Sequence, residues 1–387
     1  MSTISKSRDL SLEEINAFGA ELDALRKDTM ATLGKKEADY IYGVRNFVRY
    51  TEVVGRSSLM LGWVPPLWLA GAALLGVSKI VENMELGHNV IHGQYDWMND
   101  DSLRGSTYEW DHASTSESWR HSHNYLHHTY TNVVGRDRDI GYTVMRLTDE
   151  QPWKPFHLFQ PLTAAALAVN FQWGISLYDL ELDNVANGTK PVAKLVEDAK
   201  PFIKKVLRQS AKDHVFFPLI AGPAFLPVLT GNIAANTIRD LWTFGIIFCG
   251  HFTEDAEMFS DNIENETRGQ WYLRQLRGSS NLTGSKTFYF MTGHLSHQIE
   301  HHMFPDVPAM RYPEMAEKVR EICARYGQHY NTGSFAKQFP TVIKRIFKYS
   351  LPFSRKVEDP RAETIVAKAA KVMPMTTTSR QVTSIAA

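Results

Sequence analysis

Between Gly293 and Pro305 the chain reads Gly-His-Leu-Ser-His-Gln-Ile-Glu-His-His-Met-Phe-Pro, four histidines in thirteen residues. A neutral imidazole offers one lone pair and can donate its other N–H to a neighbour, which makes histidine the commonest metal ligand. The arrangement of histidine, amide, two spacers and a histidine pair occurs a second time at His123-Asn124-Tyr125-Leu126-His127-His128, and His88-Asn89-Val90-Ile91-His92 supplies a third spacing of four. One HxxxH is usually a chance pair on a polar helix face. Here eight of the 15 histidines fall in three boxes, more than the four ligands of one tetrahedral zinc, and they suit two metal ions. His297-Gln298-Ile299-Glu300-His301 also satisfies the HxxEH pattern of inverted zinc peptidases, a reading that accounts for one box and leaves two unexplained.

A chain of 387 residues allows two or three soluble domains, or one polytopic membrane protein with cytosolic parts. With 43% hydrophobic and 22% charged residues and a mean hydropathy of -0.28, much of it must lie in water. Basic and acidic residues balance at 42 each, which leaves no overall footprint for nucleic acid. Cys249 and Cys323 are the only cysteines, too few for a disulfide framework or an iron–sulfur cluster and compatible with a reducing compartment. Any metal must be held by nitrogen and oxygen.

The first 40 residues show no apolar core behind positive charge, so no cleaved signal peptide is expected. Ser11-Leu12-Glu13-Glu14 opens a capping box, and Ile15, Phe18, Leu22 and Leu25 recur at helical spacing, predicting an amphipathic cytosolic helix. The helical pattern of residues 40–56 carries Arg45, Arg49, Glu52 and Arg56, which suits the membrane interface. Residues 57–78 hold no charge and are long enough to cross a hydrocarbon core. Pro65-Pro66 breaks that stretch and predicts a helix from Leu67 that delivers His88 and His92 on one face. Glu82 and Glu85 are either partners for those rings or a solvated helix end. Trp97, Trp110 and Trp119, in a polar loop, suit an interfacial belt; His112 and His121 are expected at the surface.

Two later regions, 156–178 and 214–253 apart from Arg239-Asp240, are also apolar enough to enter a membrane. The seven basic and three acidic residues of 190–213 mark that loop as cytoplasmic. This favours 156–178 lying along the cytosolic face and 214–253 forming a hairpin that turns near Thr230-Gly231-Asn232, with one crossing in each region as the alternative. His251 closes the hairpin, and a histidine at the end of a membrane helix is rarely there for packing; it is the candidate ninth ligand. After the third box, 312–326 and 341–349 read as short helices against headgroups. The domains are therefore 1–56, cytosolic and interfacial helices; 57–356, the membrane domain; and 357–387, a polar tail expected to be disordered.

His88-x-x-x-His92, His123-x-x-x-His127-His128 and Gln298-x-x-His301-His302 resemble the histidine boxes of the integral-membrane fatty acid desaturases. The flanks Glu82-Asn83-Met84-Glu85, Thr129-Tyr130-Thr131-Asn132, Phe248-Cys249-Gly250-His251-Phe252, Gly269-Gln270-Trp271-Tyr272-Leu273-Arg274-Gln275 and Thr332-Gly333-Ser334-Phe335 are similar, more narrowly, to bacterial acyl-CoA delta-9 desaturases. The resemblance covers roughly residues 40–350. It implies an all-α polytopic membrane protein with about four membrane-inserted helices and a cytosolic helical cap, in the bacterial inner membrane with its site facing the cytoplasm. It further implies two Fe2+ ions, O2 as co-substrate, an acyl-CoA or acyl-lipid substrate, and electrons from a separate flavin- and ferredoxin-type NAD(P)H reductase, since the chain carries no His-Pro-Gly-Gly haem motif. The catalytic and metal-binding residues it implies are His88, His92, His123, His127, His128, His251, His301 and His302.

For the ligand before the last pair, family and chemistry diverge. Relatives are usually read as using the glutamine position, whereas an imidazole binds ferrous iron better than a neutral amide, and His297 repeats the spacing of His123 from His127 and His128. His297 is therefore the expected ligand, with Gln298 orienting it or a water. Arg138, between Asp137 and Asp139, departs from the three acidic residues common in relatives and leaves those aspartates without a metal role; His294 replaces the usual Asn or Gly. Arg274, Arg277 and Lys286 suit a positive-inside surface more than a coenzyme A phosphate site. A di-iron alkane or lipid hydroxylase, the zinc peptidase and a non-enzymatic metal carrier remain the alternatives.

Overall fold

The computed structural model describes residues 7–352; the expected disordered tail, 357–387, lies outside the described residues. Helix α1, Leu12–Ala31, begins at the expected capping box: Glu14 N–H donates to Ser11 Oγ at 3.2 Å, and Ser11 N–H donates to the Glu14 carboxylate at 2.8 Å. Ile15, Phe18, Leu22 and Leu25 are all buried, on the stripe that the spacing of three and four dictates. Helices α2, Lys35–Met60, and α3, Pro65–Val81, form a hairpin. The domain boundary expected at 56–57 falls inside α2. The two helices meet at Gly55 and Gly71, where a Cβ on Gly55 would come within 2.8 Å of the Leu75 backbone nitrogen.

Helix α3 runs on through a π-helical turn, Glu82–Gly87, into α4, His88–Ile91. Pro65–Ile91 is, among the described residues, the one helix long and apolar enough by composition to cross a membrane. The second box sits on α5, Ser116–Trp119, another π-helical turn, Arg120–His127, and α6, His128–Tyr130. Residues 156–178 form two short helices, α7, Gln160–Val169, and α8, Phe171–Tyr178, followed by α9, Leu182–Ala186. Ala164, Ala168, Phe171 and Ile175 join the core around Phe244 and Phe248.

The expected hairpin over 214–253 exists, but it turns elsewhere. Helix α10, Val192–Ser210, continues through Ala211–Phe216 into α11, Phe217–Ile220, and the chain reverses at residues 221–224, where Gly222 adopts a φ of 54°, a conformation open to glycine. Helix α12, Phe225–His251, then runs unbroken for 27 residues. Thr230-Gly231-Asn232 lies inside it because each turn-forming residue has helical work: Thr230 Oγ1 donates back to the Leu226 carbonyl at 2.8 Å, Gly231 leaves room for Leu59, and Asn232 Nδ2 donates to the Asp213 carbonyl at 2.6 Å. Charges inside this bundle are paired. Asp213 lies 3.0 Å from Arg56 and 2.7 Å from Lys79, all three under a tenth exposed, as burial of charge requires.

The remaining chain forms α13, Arg268–Gly278; α14, Lys286–Met291; α15, Gln298–Met303; α16, Tyr312–Arg325; and α17, Phe335–Ser350. Strands β1, Asn281–Thr283, and β2, Thr332–Ser334, pair in parallel with Leu282 opposite Gly333. Helices α1, α13, α15 and α16 share a second core containing Phe18, Tyr272, Phe304, Tyr312 and Val319. Helix α16 therefore packs inside this cap rather than merely lying on a surface. Arg274 is 4% exposed and binds Glu266 and the Thr129 and Thr131 carbonyls, so it is a tie between segments and not a surface charge.

Gly55→Val, which forces side-chain atoms against the α3 backbone, is expected to lower the thermal midpoint in detergent, an overpacking cost of about 1–3 kcal/mol or more. Gly43→Ala, on the same helix with nothing within 4 Å, is expected to leave it unchanged or raise it, since alanine is favoured over glycine in a helix by about 0.5–1 kcal/mol.

Candidate metal centre

The three boxes and His251 converge. His88, His92, His123 and His301 form one group, and His127, His251 and His302 another, with the candidate ligand nitrogens of each group within 4.8 Å of one another; His128 forms a third overlapping group with His301 and His302. All eight are buried except His92, which is half-buried. The π-helical turns before His88 and around His123 widen the helix locally, a feature common at functional sites. They bring His123 and His127 into a near-parallel stack, centroids 5.1 Å apart.

Several nitrogens face each other at close range. Nε2 of His251 lies 3.3 Å from Nε2 of His127 and 3.0 Å from Nε2 of His302, and Nε2 of His88 lies 3.3 Å from Nε2 of His123. With metal–nitrogen bonds of about 2.1 Å, ligand nitrogens stand about 3.0 Å apart in an octahedron and about 3.4 Å apart in a tetrahedron, so the spacing fits metal ligation. Nε2 of His92 and both nitrogens of His128 and His301 find no hydrogen-bond partner. Such orphaned buried groups are costly unless something satisfies them. Burial, reinforced by neighbouring imidazoles, holds His301 and His302 well below the usual histidine pKa, keeping the lone pairs that a metal needs.

The far sides of the rings are held. Nδ1 of His127 lies 3.0 Å from the Asp137 carboxylate; burial pulls the pKa of His127 down, but Asp137 and Asp139 outweigh it and push it up to about 9. Nδ1 of His302 meets Gln275 and Thr131, each at 3.1 Å. Nδ1 of His88 meets Asn89 at 3.2 Å, and Nδ1 of His251 the Gly278 carbonyl at 3.3 Å. Trp119 stacks on His123 at 4.3 Å.

His297 does not join either group. It precedes α15 with φ -106° and ψ 57°, so helical spacing cannot turn it towards His301 and His302; its ring packs against Tyr289 at 4.6 Å. Gln298 takes the place beside the centre, its amide 2.9 Å from Nε2 of His251, and Gly250 leaves room for it, since a Cβ there would meet Gln298 Cδ at 2.9 Å. Glu300 points away, to Asn281 at 2.7 Å and Tyr330 at 2.8 Å, which removes the base that the zinc peptidase reading requires.

Other expectations shift too. Asp137 holds a candidate ligand, and Asp139 groups with His123 and His127, so the aspartates do border the centre despite Arg138. Glu85 meets His294 at 2.8 Å and Tyr40 at 2.8 Å, not a boxed ring; Glu82 accepts from the Asp111 backbone at 2.9 Å. His121 is exposed, but His112 is buried against Trp110. Trp110 and Trp119 line a narrow cavity rather than an interfacial belt. That cavity lies against His88, His123, His127 and His251 and is walled by Met84, Ile175, Ile247 and Phe252. Its aromatic and apolar lining was not legible from spacing, because it comes from six separate segments.

Comparison with known proteins gives the same direction. The model of the family described as fatty acid desaturase matches residues 63–334. The chain is 42% identical, over 88% of its length and 81% of the relative, to the NADPH-dependent stearoyl-CoA 9-desaturase of Mycobacterium tuberculosis. It is 30% identical to the sn-1 linoleoyl-lipid 6-desaturase of Synechocystis, over 71% of this chain and 77% of that one, and 24% identical to human fatty acid desaturase 3, over 74% and 62%.

Asp137→Asn, which keeps the shape but removes the charge behind His127, is expected to weaken metal binding about 10–100-fold, the usual cost of losing a ligand's supporting partner. Metal retention against a graded chelator series, followed by elemental analysis, measures it.

Proposed function

This chain belongs to the fatty acid desaturase family and is a fatty acyl desaturase; we propose that its substrate is a long-chain acyl-CoA and that it introduces the double bond at the delta-9 position. The observation that carries the reading is the pair of buried histidine groups on the wall of an apolar cavity. The mycobacterial relative, an NADPH-dependent stearoyl-CoA 9-desaturase, supports the substrate and the ultimate reductant.

The proposed ligands of two iron ions are His88, His92, His123 and His301 for one and His127, His128, His251 and His302 for the other. His297 is left out, and Gln298 stands beside the second. Imidazole donors without rival thiolates suit iron. Bound there, iron supplies the reductive activation of dioxygen that breaking an alkyl C–H bond demands, chemistry beyond any side chain. The chain's own residues do the rest. The apolar walls hold the acyl chain and exclude water, Trp119 fixes the plane of His123, and Asp137, Gln275 and Asn89 fix the tautomers of their histidines. The balance is two hydrogens from the acyl chain plus two electrons and two protons from an external donor, reducing one dioxygen to two waters. That donor is a separate flavin- and ferredoxin-linked reductase.

We place the protein in a bacterial inner membrane with the centre facing the cytoplasm. The apolar helix Pro65–Ile91 and the exposed Leu226, Ile233 and Leu241 on α12 support this, as does the basic segment 190–213. Hydroxylation by the same oxidant is the second reading, separated by product alone.

Gas chromatography of cellular fatty acids, with and without the protein, under aerobic growth with a competent reductase, is expected to show a new delta-9 monounsaturated species. A hydroxy acid, or no new species, overturns the reading. In the purified protein, His301→Ala is expected to lose iron and activity, whereas His297→Ala keeps two irons per chain; iron lost with His297 and kept without His301 overturns the ligand set.

A further inference from the structure

One end of the cavity is the metal centre; the other is polar. Arg239, Thr243, Ile247 and His251 recur every four residues on α12, and all four border the cavity. One helix face thus runs from the metal centre to the far wall, about 18 Å at about 1.5 Å rise per residue. Arg239 is 1% exposed. Its Nε donates to Asp240 Oδ1 at 3.0 Å, its Nη2 lies 3.0 Å from the same oxygen, and its Nη1 meets no acceptor. Thr243 Oγ1 and Asn83 Oδ1, bordering the same cavity, are buried and unpartnered as well.

Three unmet hydrogen-bonding groups around one space call for a ligand there, because a buried donor left unmade costs more than a made bond gains. Asp240 already balances the guanidinium, so the ligand is neutral. At this level the outer flank of α12 is apolar, with Ile238 and Leu241 exposed. A polyphosphate headgroup therefore belongs at the opposite, His251 end, and it is the tail of a chain that reaches Arg239.

We propose that Arg239 Nη1, Thr243 Oγ1 and Asn83 Oδ1 form a polar subsite for one neutral hydroxyl oxygen: a water molecule when the chain stops short, or the terminal hydroxyl of an ω-hydroxyacyl chain long enough to reach it. A plain methyl terminus of that length displaces the water without replacing its bonds and is penalised. An ω-hydroxyl replaces them. The subsite thus selects both chain length and chain end.

This rests on the acyl desaturase reading, and binding is tested apart from turnover. The iron-loaded protein in lipid nanodiscs, without an electron donor, is titrated with palmitoyl-, stearoyl- and arachidoyl-CoA and with the ω-hydroxy form of each. At the length that reaches the subsite, the ω-hydroxy member is expected to bind at least about tenfold tighter than its parent. That preference shrinks in Thr243→Val, which is close to isosteric. It vanishes in the double variant Arg239→Met/Asp240→Asn, which strands no charge and keeps the acceptor for Gln172 N–H. Equal binding of both members of every pair in the wild type, or a preference untouched by both changes, overturns the proposal. Absence of any double bond when donor and oxygen are then added overturns the desaturase reading instead and leaves the binding result standing.

Discussion

Eight imidazoles in a nearly dry interior set the terms for this structure. Packed without a metal they strand lone pairs and N–H groups that water would otherwise satisfy, and the cost of that desolvation must be met by ligation. Each ring must also be aimed. The polar residues around the centre do so from outside it: Asp137 behind His127, Gln275 and Thr131 behind His302, Asn89 behind His88. The helices supply the walls, and those buried polar contacts supply the aim.

The backbone is adapted to the same end. Two π-helical turns fall where the first two boxes are presented, and the third box is presented by a turn in which Gly293 and His294 both adopt positive φ. A Cβ on Gly293 would meet the Met84 carbonyl at 2.2 Å, so that turn is pressed against the helix carrying the first box. The segments interlock at backbone level before any metal is considered.

What the sequence made legible was whatever depends on local period and donor chemistry. The Ser11 cap, the stripe from Ile15 to Leu25, the break at Pro65 and the gathering of His251 with the boxes all follow from rules that act within a few residues. The misses share one cause, which is that tertiary contact reassigns residues whose local meaning is ambiguous. Thr230-Gly231-Asn232 is a turn signal in isolation and a packing surface against Leu59 and Asp213 in the bundle. Trp110, Trp119 and His112 carry interfacial chemistry, yet the loop folds inward and makes them cavity wall. His297 is expected as a ligand for its imidazole and for repeating the spacing of the second box, but it stands just before the helix with non-helical angles, so that spacing does not aim it at the centre. Pairings such as Glu300 with Tyr330, or Arg274 with Glu266, leave no trace in local spacing.

The packing of α1 carries a consequence for how the protein is made. Gly19 of α1 approaches Gly269 so closely that a Cβ would meet its Cα at 2.8 Å, Phe18 stacks edge-on with Tyr326, and Arg8 N–H donates to the Gly327 carbonyl at 2.8 Å. The partners of the first helix thus leave the ribosome long after it does, two of them near the end of the described residues. At roughly 5–20 residues per second, α1 waits on the order of a quarter of a minute to a minute with its apolar stripe uncovered. Such long-range closure is slow and exposed to aggregation. The same order of synthesis delays the histidine cluster, whose last member in the chain is His302, so its groups are complete only after most of the helical bundle has been made.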